Sequence, residues 1–285
     1  MRVIRLTFLI FRLQQSILPD YATSDNACTG KPPLPDNGYN YFSGSENTVM
    51  SDRSKYGTLY IVATPIGNPD DITIRALKVL ANVDAVICEE IKEGSKLLHS
   101  LKIENNLIPL NEHNEEEAIQ NIVVELMAGK SLAVVSDCGT PLFSDPGKKL
   151  VSTLVEVNFK IVPIPGTSSL MTALSVCAFP MDQFKFVGFL PPKAEHRSSI
   201  LANLKRETTP LILMDTPYRL GRLLDEVART FGKDQMAFLG CDLTLPNELI
   251  LHGRIDEISR RVANQKREFI LILDTPNKGK ISFGK

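Results

Sequence analysis

The 285-residue sequence predicts an α/β fold in two domains, a parallel-rich sheet with flanking helices followed by a mixed-sheet α/β domain. Three observations carry this. From residue 58 onward, short apolar runs rich in β-branched residues alternate with segments of helical period, the pattern of a parallel sheet covered on both faces. The style changes near Pro165-Gly166, and later two apolar runs are joined by only Thr244-Leu245-Pro246-Asn247, a hairpin length. A chain of this size, 43% hydrophobic and 23% charged, also buries a substantial core without disulfides or metals.

The elements follow in order. The run 58–63 (TLYIVA) reads as a first strand, closed by Thr64-Pro65-Ile66-Gly67-Asn68-Pro69. In 73–82, Ile74, Leu77 and Leu80 recur on a helical period. A buried strand at 85–88 (AVIC), a helix at 92–101 and a short strand at 107–110 come next. Asn114 precedes Glu115-Glu116-Glu117, acidic residues suited to a helix start, and Gly129 offers that helix its stop. Strand 132–135, helix 148–157 and strand 160–164 complete the first half. The second half reads as strand 184–190, helix 195–206, strand 211–214, helix 218–231, strands 236–241 and 248–252, helix 255–262 and strand 269–273. These divide the chain into a leader at 1–56, domains at 57–166 and 167–276, and a tail at 277–285.

The leader reads differently from the rest. Its apolar stretch is interrupted by Arg5 and Arg12, too short and too charged for a membrane span, and residues 19–47 are rich in Pro, Gly, Ser and Asn. It is expected to be a disordered extension or an early-assigned start, with Met50 as the working start; a poor signal peptide is the alternative. No long apolar segment follows, so no membrane span is expected. Net charge is −1, and the residues after 56 carry 26 Lys/Arg against 28 Asp/Glu, so bulk charge does not advertise a polyanion partner. The five cysteines (Cys28, Cys88, Cys138, Cys177, Cys241) form no CxxC pair or Cys/His cluster, which excludes a disulfide framework or zinc site and fits a reducing cytoplasm.

Ligands of open parallel sheets sit beyond the carboxyl ends of strands. Three Gly/Pro-rich segments lie there: 64–71 (TPIGNPDD), 136–147 (SDCGTPLFSDPG) and 163–169 (PIPGTSS). Singly, each is explained as a turn; the last four residues of the second, Ser144-Asp145-Pro146-Gly147, read equally as a helix cap. Together they point to a shared site. The phosphate-binding pattern GxxxxGK[ST] and the dinucleotide pattern GxGxxG are absent, and cations in these loops are few. Backbone amides, hydroxyls and small apolar groups suit a nucleoside ligand without a phosphate tail.

These segments, with Glu112-His113-Asn114 and Thr216-Pro217-Tyr218-Arg219-Leu220, resemble the tetrapyrrole-methylase superfamily in order over roughly residues 57–275. Within it they are most similar to the ribosomal RNA small-subunit methyltransferase I family, which methylates a cytidine ribose 2′-hydroxyl. The resemblance implies a class III methyltransferase of two α/β domains with S-adenosylmethionine between them, usually a homodimer. Carried over by motif, the cofactor contacts are Ile66, Gly67, Gly139, Thr140, Pro141, Leu142, Phe143, Ser168, Ser169, Met214 and Leu243. For Ile66, Met214 and Leu243, core packing is the competing reading. Implied RNA contacts are Lys92, Lys193, Arg197 and Arg219. The chain departs from the family where an acidic pair and arginine-rich stretch are usual: here stand Glu89-Glu90-Ile91-Lys92-Glu93-Gly94-Ser95-Lys96. Cys241 and Leu245 flank Asp242 where the family tends to carry cations. RNA affinity rests on neutralising phosphates, so these losses are expected to weaken or retarget RNA binding while sparing the cofactor site.

Methyl transfer to a ribose hydroxyl gains most from alignment, with help from a proton acceptor. His113 and Asp137, with Glu89 behind them, are the candidates. His113 reads equally as a capping or surface residue, and Asp137 as a carboxylate that holds its turn. Two other readings stand beside the RNA methyltransferase: a methyltransferase acting on a tetrapyrrole or other small molecule, and a non-catalytic ribosome-binding module that keeps the pocket.

Overall fold

The computed structural model describes residues 56–143 and 147–274. The leader, apart from Tyr56, the Ser144-Asp145-Pro146 part of the expected cap, and the tail lie outside the described residues. Five strands form the first sheet: β1 (Thr58–Val62), β2 (Ala85–Cys88), β3 (Leu107–Pro109), β4 (Leu132–Val134) and β5 (Lys160–Ile164), in the order β3-β2-β4-β1-β5. Every pairing is parallel. Helices α1 (Ile74–Asn82), α2 (Ile91–Ser100), α3 (Glu115–Met127) and α4 (Lys148–Glu156) connect the strands. Thr73 caps α1, its hydroxyl accepting from the Ala76 amide at 3.1 Å. At the far end of α3, Gly129 takes φ +85°, the left-handed conformation that ends helices without penalty at glycine.

A second sheet holds β6 (Lys185–Phe189), β7 (Leu211–Asp215), β8 (Met236–Cys241), β9 (Leu249–Arg254) and β10 (Phe269–Leu273), in the order β6-β7-β10-β8-β9. β6 and β7 are parallel; the other pairs are antiparallel, and β8 and β9 form the expected hairpin. The sheet is mixed, as the sequence predicts. The middle strands of both sheets, β4 and β10, are buried along their whole length. That is why they read as unbroken apolar runs.

Alternate residues of the second sheet face two apolar layers. On one side Leu213, Leu239, Leu271 and Leu273 pack with α6 (Ala194–Leu204), α7 (Leu220–Phe231) and α8 (Ile255–Arg261). On the other, Ile212, Phe238, Ile270 and Ile272 pack with α5 (Ser169–Val176) and with Ile66 from the first sheet's leading loop. Helix α5 is missing from the sequence expectations: SLMTALSV is apolar on nearly every face and shows no stripe. The strand directions gather the ends that matter. The carboxyl ends of β6, β7 and β8 and the amino end of β10 share one edge of the second sheet.

Candidate active site

Thr64 joins the three Gly/Pro-rich loops of the first sheet. It is buried, and it exchanges backbone hydrogen bonds with Gly139 at 2.9 and 3.1 Å, an isolated antiparallel bridge. Its hydroxyl donates towards the carbonyls of Ser136 (3.3 Å) and Gly139 (3.4 Å), while its own carbonyl accepts from the Thr167 hydroxyl. Thr140 closes the ring by donating to the Thr167 carbonyl at 3.0 Å. Gly139 has φ +82°, and a Cβ built there would stand 3.1 Å from Ile66 Cγ2. Leu142 is also left-handed, at φ +69°. Thr64 and Thr167 are absent from the sequence-predicted site. Their only signal is a small hydroxyl residue inside a motif at a strand end.

The loop after β8 meets this assembly from the second sheet. The Asn68 amide donates to Thr244 Oγ1 at 3.0 Å. Gly67 lies so close that an added Cβ would fall within about 3 Å of Thr244 Oγ1, Leu245 Cγ and the Leu243 carbonyl. Gly67 therefore serves the junction between the two loops. Thr244 itself sits at φ +69°, a strained setting for a β-branched residue, held because its amide bonds Glu248 and its hydroxyl accepts from Asn68. Asp242 anchors the same loop through Arg267 (2.8 Å), Asn247 (2.7 Å) and the Glu268 amide (3.1 Å). Substituting Thr244→Val keeps the volume and removes the acceptor for Asn68. A loss of about 1 kcal/mol is expected, read as a lower midpoint in urea unfolding.

Ile66, Met214 and Leu243 pack into one apolar cluster with α5. Phe143 is exposed, its ring edge-on to Phe186 of β6 at 4.8 Å. Ser168 caps α5, its hydroxyl accepting from the Met171 amide at 3.5 Å, and Ser169 is the first residue of that helix. The expected cap on α4 is Gly147, at φ +106° and packed on Leu142 and Leu110, with no side-chain cap bond.

A small open depression lies at the carboxyl ends of β2 and β4, lined among others by Cys88, Glu89, Leu110, Ser136, Pro141 and Leu142. The Cys88 thiol is pushed up to about 11, by burial first and then by the nearby charges of Asp137 and Glu90. A thiol so protonated is a poor nucleophile at neutral pH. Glu89 and Asp137 thus gather at one corner. His113 is exposed on a turn whose shape Asn114 fixes, accepting from the Asn111 amide (2.8 Å) and donating to the Pro109 carbonyl (2.9 Å). Asn114 is the N-cap residue of α3, but its side chain makes no cap bond to the helix.

Of the expected RNA contacts, Lys92 and Lys193 are exposed. Arg219 is partly exposed and leans on buried Asp215 at 3.2 Å. Arg197 corrects the expectation. It is only 2% exposed, it forms a two-pronged pair with Glu226, and its Nη1 donates to the carbonyls of Pro191 (3.0 Å) and Pro192 (2.9 Å). A guanidinium committed inside the fold holds the turn before α6 and has no face for a phosphate. Among the described residues there is no cluster of three or more His, Cys, Asp or Glu suited to a metal, and no helix long and apolar enough to cross a membrane.

Comparison with known proteins agrees with this architecture. The family described as Tetrapyrrole (Corrin/Porphyrin) Methylases matches residues 58–259. The chain is 39% identical over 218 residues to ribosomal RNA small subunit methyltransferase I of Micromonospora olivasterospora, covering 76% of this chain and 69% of that one. It is 40% identical over 227 residues to the protein of the same name from Neisseria meningitidis serogroup A, covering 78% of each. In fold it is similar to uroporphyrin-III-C-methyltransferase from Thermus thermophilus, with a TM-score of 0.54, 20% identity, and coverage of 77% and 94% of the two chains. The chain therefore belongs to the tetrapyrrole methylase family and, within it, groups with the small-subunit ribosomal RNA methyltransferases I.

Proposed function

We infer that the protein is an S-adenosylmethionine-dependent methyltransferase acting on small-subunit ribosomal RNA, with the 2′-hydroxyl of a cytidine ribose as acceptor. The observation that carries this reading is the convergence of strand-end loops from both sheets, three knotted on Thr64 and the fourth joined through Asn68 and Thr244. The names of relatives at about 40% identity support the substrate.

The residues fit the cofactor on structural grounds. Segments 64–69, 136–143, 165–169 and 242–245 contain no Lys or Arg, so they offer amides, hydroxyls and apolar walls to an adenosyl group without phosphates. The left-handed Gly139 leaves its loop free of a side chain that would press on Ile66. Gly67, Gly139, Thr140, Pro141, Leu142, Phe143, Ser168 and Ser169 would hold it along the loops, with Ile66, Met214 and Leu243 as the apolar wall. When bound, S-adenosylmethionine supplies an electrophilic methyl group. The protein's share is alignment and a proton acceptor. Glu89, lining the depression, and Asp137 are the carboxylates proposed to take a hydroxyl proton, with His113 as the third candidate acceptor.

Two measurements test the reading. Calorimetry should detect binding of S-adenosylmethionine or its demethylated product; absence of heat and of any thermal shift with both ends the methyltransferase reading. Mass spectrometry of ribosomal RNA from cells with and without the gene should show one ribose methyl group lost with it. We further propose a cytoplasmic homodimer, as the family resemblance implies, with light scattering of the pure protein expected to give twice the chain mass.

A further inference from the structure

Four loops share the edge of the second sheet that faces the candidate site, and they present an exposed aromatic ring with a lysine over it. Tyr218 is 78% exposed, a costly position for a ring with no partner in the core. Its backbone is nonetheless fixed. Buried Asp215 accepts from the Thr216 amide at 2.8 Å and from Arg219 at 3.2 Å, and Arg219 reaches back to the Leu190 carbonyl at 3.4 Å. The turn 215–219 is thus tied to the turn 190–193, where exposed Lys193 stands. From the segment leading into β10, exposed Lys266 places Nζ 4.8 Å from the centre of the Tyr218 ring. The next residue, Arg267, pins the β8–β9 loop whose Thr244 contacts Asn68. Met214, in the proposed wall of the candidate cofactor site, is the last residue but one of the strand that leads to Tyr218.

A firmly mounted, solvent-facing ring near exposed lysines is the chemistry of single-stranded nucleic acid recognition. Any base stacks on such a ring, and ammonium groups follow the backbone. A ribose presented for methylation must also belong to a nucleotide whose neighbours are held. We propose that Tyr218 is a stacking platform for an unpaired base near the acceptor nucleotide, with Lys266 and Lys193 contacting the adjoining phosphates. This rests on the ribosomal RNA reading above. It also locates RNA affinity outside the candidate cofactor loops, which carry no Lys or Arg: an aromatic surface supplies contact that cations alone do not.

The test uses the full chain, isolated small ribosomal subunits lacking the modification, and labelled S-adenosylmethionine. Tyr218→Ala should raise KM for subunits by about tenfold, a typical value of one base stack, with an unchanged thermal midpoint and wild-type affinity for S-adenosylmethionine. Tyr218→Phe should restore KM, since stacking needs the ring and not the hydroxyl. Tyr218→Leu should not; rescue by leucine would show an apolar contact with protein and overturn the proposal. Lys266→Ala should flatten the dependence of subunit binding on salt by about one ion. An unchanged KM in Tyr218→Ala, while the wild type methylates subunits, overturns the platform alone. Failure of the wild type to methylate subunits overturns the ribosomal RNA reading and the platform with it.

Discussion

Arg197→Ala is expected to lower folding stability by about 3–5 kcal/mol, the usual effect of removing one partner from a buried ion pair. The carboxylate of Glu226 would remain inside with only Arg222, at 3.1 Å, to answer it, and the Pro191 and Pro192 carbonyls would lose their donor. Urea unfolding measures the loss. Exchanging both Arg197 and Glu226 for apolar residues of similar volume should recover most of it, because no orphaned charge remains. A small effect of Arg197→Ala would return the residue to the surface role its sequence suggests. The pair also sets a pH dependence. Hydrogen bonding from Arg197 holds the Glu226 carboxyl below the ordinary carboxylate range. The group contributes fully above the unfolded value of about 4.3, and its contribution disappears as pH falls through the lower folded value. Arg197→Ala should therefore flatten the acid limb of a stability–pH curve.

Gly139→Val is expected to reduce S-adenosylmethionine affinity by more than tenfold and to destabilise the chain by about 1–3 kcal/mol. Two causes act together. At φ +82° a β-branched residue is strained whatever the space, and its Cβ would press on Ile66 at 3.1 Å. Relief of either displaces the bridge to Thr64, and with it the other loops. Gly221→Ala is the control, since that glycine of α7 has open space and a helix gains from the exchange. Calorimetry and thermal unfolding on the two variants separate a local effect on the pocket from a general effect of filling a glycine. Normal binding by Gly139→Val would move the pocket elsewhere.

The runs at β2, β8 and β10, buried along all or nearly all of their length, coincide with the observed elements because almost nothing in them competes with burial. Half-buried β9 was not so clear: read at 248–252, it runs from Leu249 to Arg254, ending in Gly253 and Arg254, which an apolar-run criterion discards. Within the candidate site, local signals were good guides to glycines and poor guides to partners. Gly139 announced itself by its motif. Nothing near Arg197 announces Glu226, 29 positions away on another helix, so an arginine following Leu190-Pro191-Pro192-Lys193 reads as a surface cation. Thr64 and Thr167 were likewise silent, since a threonine shows its hydrogen-bonding role only when the strands are laid side by side.

Those hydroxyls carry a lesson for sequence change. Because Thr64, Ser136, Gly139 and Thr167 satisfy one another across three distant stretches of chain, their substitutions should be strongly epistatic: once the first is lost, the second and third cost less than their single effects, and double-mutant cycles among them should depart from additivity. Segments that look like separate signatures along the chain are, in the folded molecule, a single heritable unit.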